Sequence, residues 1–194
     1  MRPIGSGNEH HVPSSAMVVV GILAAAAFCG SSWPSTRPLG PIPESVGPSL
    51  IPNYHLVRAD LASGGQPTEA GLRRLRDLGF RIVVDLRVPA EGVPSEKAAV
   101  EASRLRYVSV PISPETFRIE DVDAVARVLD DPGRGPVLLH CGSGNRAGGV
   151  WTVLQVMKGR THAEAEAEGR EIGLQSPAMI EAVRRVLGEA SIVD

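Results

Sequence analysis

The sequence has little cysteine, little net charge and no long apolar run. Among its 194 residues only Cys29 and Cys141 are cysteine. Two thiols in such different settings exclude a disulfide-stapled scaffold and a cysteine-rich zinc site. Lysine and arginine number 20 against 22 acidic residues, a net charge of -2. Without a basic excess the chain is not expected to bind nucleic acid. The apolar run Ala16–Phe28 has 13 residues, short of the roughly 20 that a membrane-spanning helix needs. It follows Arg2 and precedes small residues, which fits a secretory signal peptide, with an uncleaved membrane anchor as the competing reading. Residues 1–30 are therefore expected to direct export, to the periplasm or to the outer side of the inner membrane. Cys29 closes this segment, and the bulky Phe28 before it argues against lipidation.

What is present is the composition of a globular protein, 43% hydrophobic and 22% charged. Residues 33–52 hold six prolines, a density that prevents a helix and favours an extended spacer. Residues 31–52 are thus expected to be a tether, and residues 53–194 the folded domain.

Within that domain the pattern alternates between strands and helices. Thr68 is placed to cap a helix with Leu72, Leu75 and Leu78 on one face and Gly79 at its end. A strand is expected over Arg81–Arg87, a helix near Ser95–Ala102 and a strand over Tyr107–Ile112. Val122, Val125, Ala126 and Leu129 have helical spacing. Pro136–Leu139 reads as a buried strand, and Ala147–Met157 as a helix. Thr161 and Glu164 form a capping box for another helix, and Ser176 and Pro177 open the last. The Glu164, Glu166, Glu168 series reads as a solvated face. The fold class is α/β, a mostly parallel sheet covered by helices.

The chemistry is concentrated in His140-Cys-Gly-Ser-Gly-Asn-Arg146, between a strand and a helix. That is where a parallel sheet presents its ligand site. Gly142 and Gly144 allow close backbone approach, so the N–H groups of Gly142, Ser143, Gly144 and Asn145 can converge on one anion. The helix N-terminus adds its positive end. Arg146 offers a two-pronged fork for anionic oxygens. The same field favours a thiolate at Cys141, a nucleophile aimed at a bound anion. His140 is placed to orient the loop. Asp85 and Arg87 end a neighbouring strand on the same side, as a supporting ion pair.

The loop resembles that of the cysteine-dependent tyrosine and dual-specificity phosphatases. Leu61-Ala-Ser-Gly-Gly-Gln-Pro-Thr68 and Ile82-Val-Val-Asp-Leu-Arg87 resemble the bacterial branch related to the phosphatase domain of beta-lactamase-hydrolase-like proteins. The resemblance implies the three-layer cysteine-phosphatase fold, a phosphocysteine on Cys141, phosphate binding by Arg146 and the loop backbone, and no metal or cofactor. The substrate would be a phosphorylated small molecule or a phosphoprotein.

Three features depart from that pattern. Four residues separate Cys141 from Arg146, one fewer than the phosphatase signature has. A loop of this length resembles that of the rhodanese sulfurtransferases, which makes a sulfur donor the alternative substrate and a persulfide the alternative intermediate. Ala147 stands where phosphatases usually carry a hydroxyl. Finally, the segment Pro111–Phe117 offers only Glu115 as candidate general acid. A non-catalytic anion-binding module is the third reading.

Overall fold

The computed structural model describes residues 41–190, with the side chains of Glu189 and Ala190 left aside. The expected leader, Cys29 and the first part of the tether lie outside the described residues. Among the described residues no helix is long and apolar enough to cross a membrane.

Five short strands form one sheet: β1 (His55–Arg58), β2 (Leu61–Gly64), β3 (Ile82–Asp85), β4 (Arg106–Ser109) and β5 (Val137–His140). Their order is β1-β2-β5-β3-β4. The β2–β5, β5–β3 and β3–β4 pairs are parallel, and only the hairpin partner β1 runs antiparallel. The helices are α1 (Glu69–Arg74), α2 (Val93–Ala102), α3 (Ile119–Leu129), α4 (Asn145–Met157), α5 (His162–Glu171) and α6 (Pro177–Ala190). This is the α/β class expected.

Alternation along the strands builds a core on each face of the sheet. Ile82, Val84, Val137 and Leu139 point to one side, where Val122 and Val125 of α3, Val150 and Leu154 of α4 and Val183 of α6 meet them. Val83 and Leu138 point to the other side, toward Leu75, Phe80 and Val100. All four β5 residues are buried, which places the strand at the centre of three layers.

Two elements differ from the sequence reading. The β1–β2 hairpin was not expected, because His55–Arg58 is only half-buried and lacks a marked alternation. Residues 41–52 do not behave as a free tether. Ile42 and Ile51 belong to the second core, and the Leu50 carbonyl accepts from Thr68 N at 2.9 Å. Gly71 makes this possible, since a Cβ there would lie 2.1 Å from the Leu50 oxygen. The folded unit therefore begins well before Asn53.

Candidate active site

The loop after β5 is shaped by hydrogen bonds to its outer side. The Gly142 carbonyl accepts from Gln66 N at 3.1 Å. The Ser143 carbonyl accepts from Asn53 Nδ2 at 3.0 Å. In a trans peptide the N–H points opposite its carbonyl, so these two bonds turn the N–H groups of Ser143 and Gly144 inward. Gly144 N duly donates to Cys141 Sγ at 3.1 Å. Gly144 has φ +97°, a left-handed conformation that glycine adopts without strain and that starts α4. Asn145 closes the turn from behind: its Oδ1 accepts from Gln175 N at 2.7 Å and from Ser176 N at 2.6 Å. Asn145 is thus a brace of the loop through its side chain, and Ser143 receives its Nδ2 at 3.1 Å.

Cys141 is buried, and it is the one free cysteine among the described residues. The N-terminus of α4, the Gly144 N–H and the Arg146 guanidinium all face its sulfur. Arg146 Nη1 bonds the carbonyls of Leu86 (3.4 Å) and Ile112 (3.1 Å), which holds the guanidinium over the loop.

A residue missed by the sequence reading completes this arrangement. Glu91 ends a single 3-10 turn, Pro89–Glu91. Its two oxygens meet Nη1 and Nη2 of Arg146, both at 2.7 Å, and Oε2 also accepts from Val88 N at 2.9 Å. The Arg146 hydrogen bonds outweigh partial burial and hold the Glu91 carboxyl below the usual carboxylate range. An oxyanion already rests on the fork that would bind phosphate.

Asp85, Arg87 and His140 do not reach the mouth of the site. They lie fully buried beneath the loop. Arg87 Nη2 bonds Asp85 Oδ2 at 2.7 Å and Glu96 Oε2 at 2.5 Å, and Nη1 bonds the Glu91 carbonyl at 3.0 Å. The expected Asp85–Arg87 ion pair is present and also anchors the turn that carries Glu91. Glu96 was not singled out from sequence. Its signal was the inward stripe Val93, Glu96, Val100 of α2, a carboxylate at a core position.

Burial acts to raise the Asp85 carboxyl, but the Arg87 hydrogen bond, the His140 charge and the Tyr107 hydroxyl at 2.6 Å hold it low. A carboxyl lowered by folding stabilises the fold above its unfolded value, near 3.9, and that contribution is lost as pH falls through the folded value. The thermal midpoint should therefore drop steeply below about pH 4. Asp85→Asn should lower the midpoint at neutral pH and flatten this acid limb. Parallel pH profiles for the two proteins would contradict the assignment.

Glu115 has no contact with Cys141 or Arg146 and lines a separate surface pocket with Phe117 and Arg185. The Ile112 carbonyl on Arg146 brings the Pro111–Phe117 segment to the site, and Arg185 Nη2 clamps its carbonyls at Pro114 (2.9 Å) and Phe117 (3.2 Å). The Glu115 side chain is exposed and bonds Ser113 Oγ at 2.7 Å. That bond keeps the carboxyl low. The acidic residues of α5 are surface groups: Glu164 caps the helix and Glu166 pairs with Arg170.

Residues 49–183 match the family described as the DSP-PTPase phosphatase fused to NAD+ kinase. The chain belongs to this DSP-PTPase family. Curated relatives include the beta-lactamase hydrolase-like proteins of Xylella fastidiosa strain Temecula1 (31% identical over 123 residues, 60% of this chain and 28% of the relative) and of Agrobacterium fabrum (30% over 109 residues, 54% and 25%). The matched part of the chain thus spans only about a quarter of these relatives. Similar folds include P. aeruginosa TpbA (TM-score 0.59, 22% identity, 77% of this chain and 91% of that one). The core catalytic domain of the S. cerevisiae PP-IP phosphatase SIW14 is also similar (0.57, 16%, 71% and 88%). The match to a DSP-PTPase family sets aside the sulfurtransferase suggested by the short Cys141–Arg146 loop.

Proposed function

We propose that this DSP-PTPase domain hydrolyses phosphate monoesters through a phosphocysteine. The observation that carries the reading is the convergence of the Gly144 N–H and the Arg146 guanidinium on the Cys141 sulfur. The thiolate attacks phosphorus, the S–P bond forms, and the ester oxygen leaves with the bonding pair. Water then attacks the phosphocysteine, and inorganic phosphate and the thiolate are released. The N–H groups and Arg146 are aimed at the equatorial oxygens, where charge develops. The residues in hand need no metal for either step.

Glu115 is the candidate acid by position, on the segment that touches Arg146. A carboxylate held ionised has no proton to give, so the reading favours leaving groups that depart with little assistance. Aryl phosphates, of the phosphotyrosine type, fit better than alkyl phosphates. TpbA, a protein of this fold, has been crystallised with pTyr. The apolar run Ala16–Phe28 supports an exported protein, either cleaved or held at the membrane.

The test is phosphate release by the purified chain from p-nitrophenyl phosphate and from an alkyl phosphate. We expect turnover of the aryl ester, vanadate inhibition, and a rate on the alkyl ester lower by about 100-fold or more. No phosphate release from either, in a folded protein, would overturn the proposal.

A further inference from the structure

Beneath the Cys141 loop, Asp85 and Glu96 each turn a carboxylate oxygen, and His140 a ring nitrogen, toward one point. The three ligand atoms lie within 4.8 Å of one another. Asp85 closes β3, Glu96 comes from α2 and His140 closes β5. None of the three is more than 3% exposed, so the group is unlike the solvated acidic clusters of a protein surface.

Two buried polar atoms of this group have no hydrogen bond: Glu96 Oε1 and His140 Nε2. They lie 2.8 Å apart, close enough to bond, yet no hydrogen bond forms between them. Buried polar atoms left in this way are costly. A small divalent cation meets both. Its bonds to imidazole nitrogen and carboxylate oxygen are about 2.0–2.2 Å, which sets tetrahedral ligands about 3.4 Å apart. The separations from Nε2, 2.8 Å to Glu96 Oε1 and 3.8 Å to Asp85 Oδ1, bracket that value.

The surrounding contacts hold these ligands in place. His140 Nδ1 lies 3.2 Å from the Cys141 carbonyl. A proton on Nδ1 leaves a lone pair on Nε2, the usual support of a metal-bound imidazole. Arg87 Nη2 takes the outer oxygens, Asp85 Oδ2 at 2.7 Å and Glu96 Oε2 at 2.5 Å. Tyr107 also donates to Asp85 Oδ2, at 2.6 Å. Glu96 Oε1 is thus left for the ion. Asp85 Oδ1 already accepts from Arg87 N and Nε and is the weaker third ligand. The charges agree. With a neutral imidazole, two buried carboxylates against one guanidinium leave one negative charge uncompensated. A divalent ion turns this into one positive charge beneath an anion-binding loop. A groove of about 420 Å³, lined by Gln66, Ser95, Glu96 and Ser103, gives the ion a way in.

We propose that Asp85, Glu96 and His140 form a buried site for a first-row divalent cation, with solvent from the groove as the fourth ligand. The nitrogen and oxygen donors suit Zn²⁺. The reaction proposed above needs no metal, and the ion takes no step in it. It ties β3, α2 and β5 together under the loop.

The test takes the full chain without an affinity tag, strips it with a chelator and titrates it with Zn²⁺. Bound zinc is counted by mass spectrometry after gel filtration. Glu96→Gln and His140→Asn should each bind one ion fewer than the unaltered chain, with affinity at the lost site lower by about 100-fold or more. Cys141→Ser, which removes the nearby thiol, should bind the same number as the unaltered chain. Zn²⁺ at about 100 times its Kd should raise the thermal midpoint of the unaltered chain by about 5–10 °C. The midpoint of Glu96→Gln should not move. An unaltered chain that binds no zinc overturns the proposal, as does a folded Glu96→Gln that binds as much. Loss of the ion in Cys141→Ser overturns it too, because the thiol would then be the ligand. If neither ligand variant folds, the ring ¹⁵N signals of His140 in the unaltered chain decide. Zinc should shift Nε2 and leave Nδ1 protonated, and an unmoved Nε2 signal overturns the proposal. None of these readouts needs turnover, so failure of the phosphatase reading would leave them intact.

Discussion

If the proposed reaction holds, replacing Cys141 with serine should abolish phosphate release, lowering the rate by about 10⁴-fold or more while the fold and the anion site persist. The two side chains are nearly the same size and Cys141 is fully buried, so the core of β5 and α4 should be little disturbed. Gly144 N can donate to an Oγ as it does to Sγ. What changes is the nucleophile. A serine hydroxyl does not ionise under a field that suffices for a thiol, and no side chain is placed as a base to take its proton, since His140 is turned beneath the loop. The variant should therefore bind phosphate or vanadate as a silent site. The check pairs phosphate release with the thermal midpoint, measured with and without inorganic phosphate. Residual activity above about one hundredth of the unaltered rate would remove Cys141 from the reaction.

Replacing Arg146 with alanine should have the second-largest effect, a loss of about 10³-fold in kcat/KM. Two consequences add. The fork that meets the equatorial oxygens disappears, and Glu91 loses the cation that neutralises it. The Glu91 carboxylate lies within 3.6 Å of where a Cβ on Gly142 would sit, close enough to repel an incoming phosphate. Arg146→Ala should therefore raise KM as well as lower kcat. Removing Glu91 in the same chain should recover part of KM and none of kcat. Arg146→Lys should fall between, because an ammonium keeps the charge but not the planar fork. Steady-state rates on p-nitrophenyl phosphate separate these outcomes. A double variant with no recovery of KM would show that Glu91 does not act on the bound anion.

The parts of this site that were legible in sequence are those contiguous along the chain. Cys141, Gly144 and Arg146 act within one strand–loop–helix turn, so residue type and spacing carry their geometry. Asp85 and Arg87 were legible as a pair for the same reason, being two residues apart. Glu91 and Glu96 were not, because each acquires its partner only when a short turn or α2 folds across to β5. Glu96 did leave a trace, a charge on the inward stripe of α2. Glu91 left none, since a glutamate after Pro89 reads as an ordinary surface turn. The β1–β2 hairpin and the packing of residues 41–52 failed for a related reason. Both are decided by burial against distant strands, not by a periodicity of their own, and the prolines of the segment masked Ile42 and Ile51.

That segment has a practical consequence for dissecting the molecule. A shortened chain beginning at Asn53 would keep every residue named in the reaction. It would nevertheless discard Ile42 and Ile51, each no more than 2% exposed, and the Leu50 carbonyl that receives the backbone of Thr68. It would also leave Gly65 N without the Pro52 carbonyl, 2.7 Å away, one residue before the Gln66 that holds the Cys141 loop from outside. A fragment that keeps these contacts must include Ile42 and all that follows it. An inactive fragment cut at Asn53 would report a missing wall of the scaffold, not a missing activity.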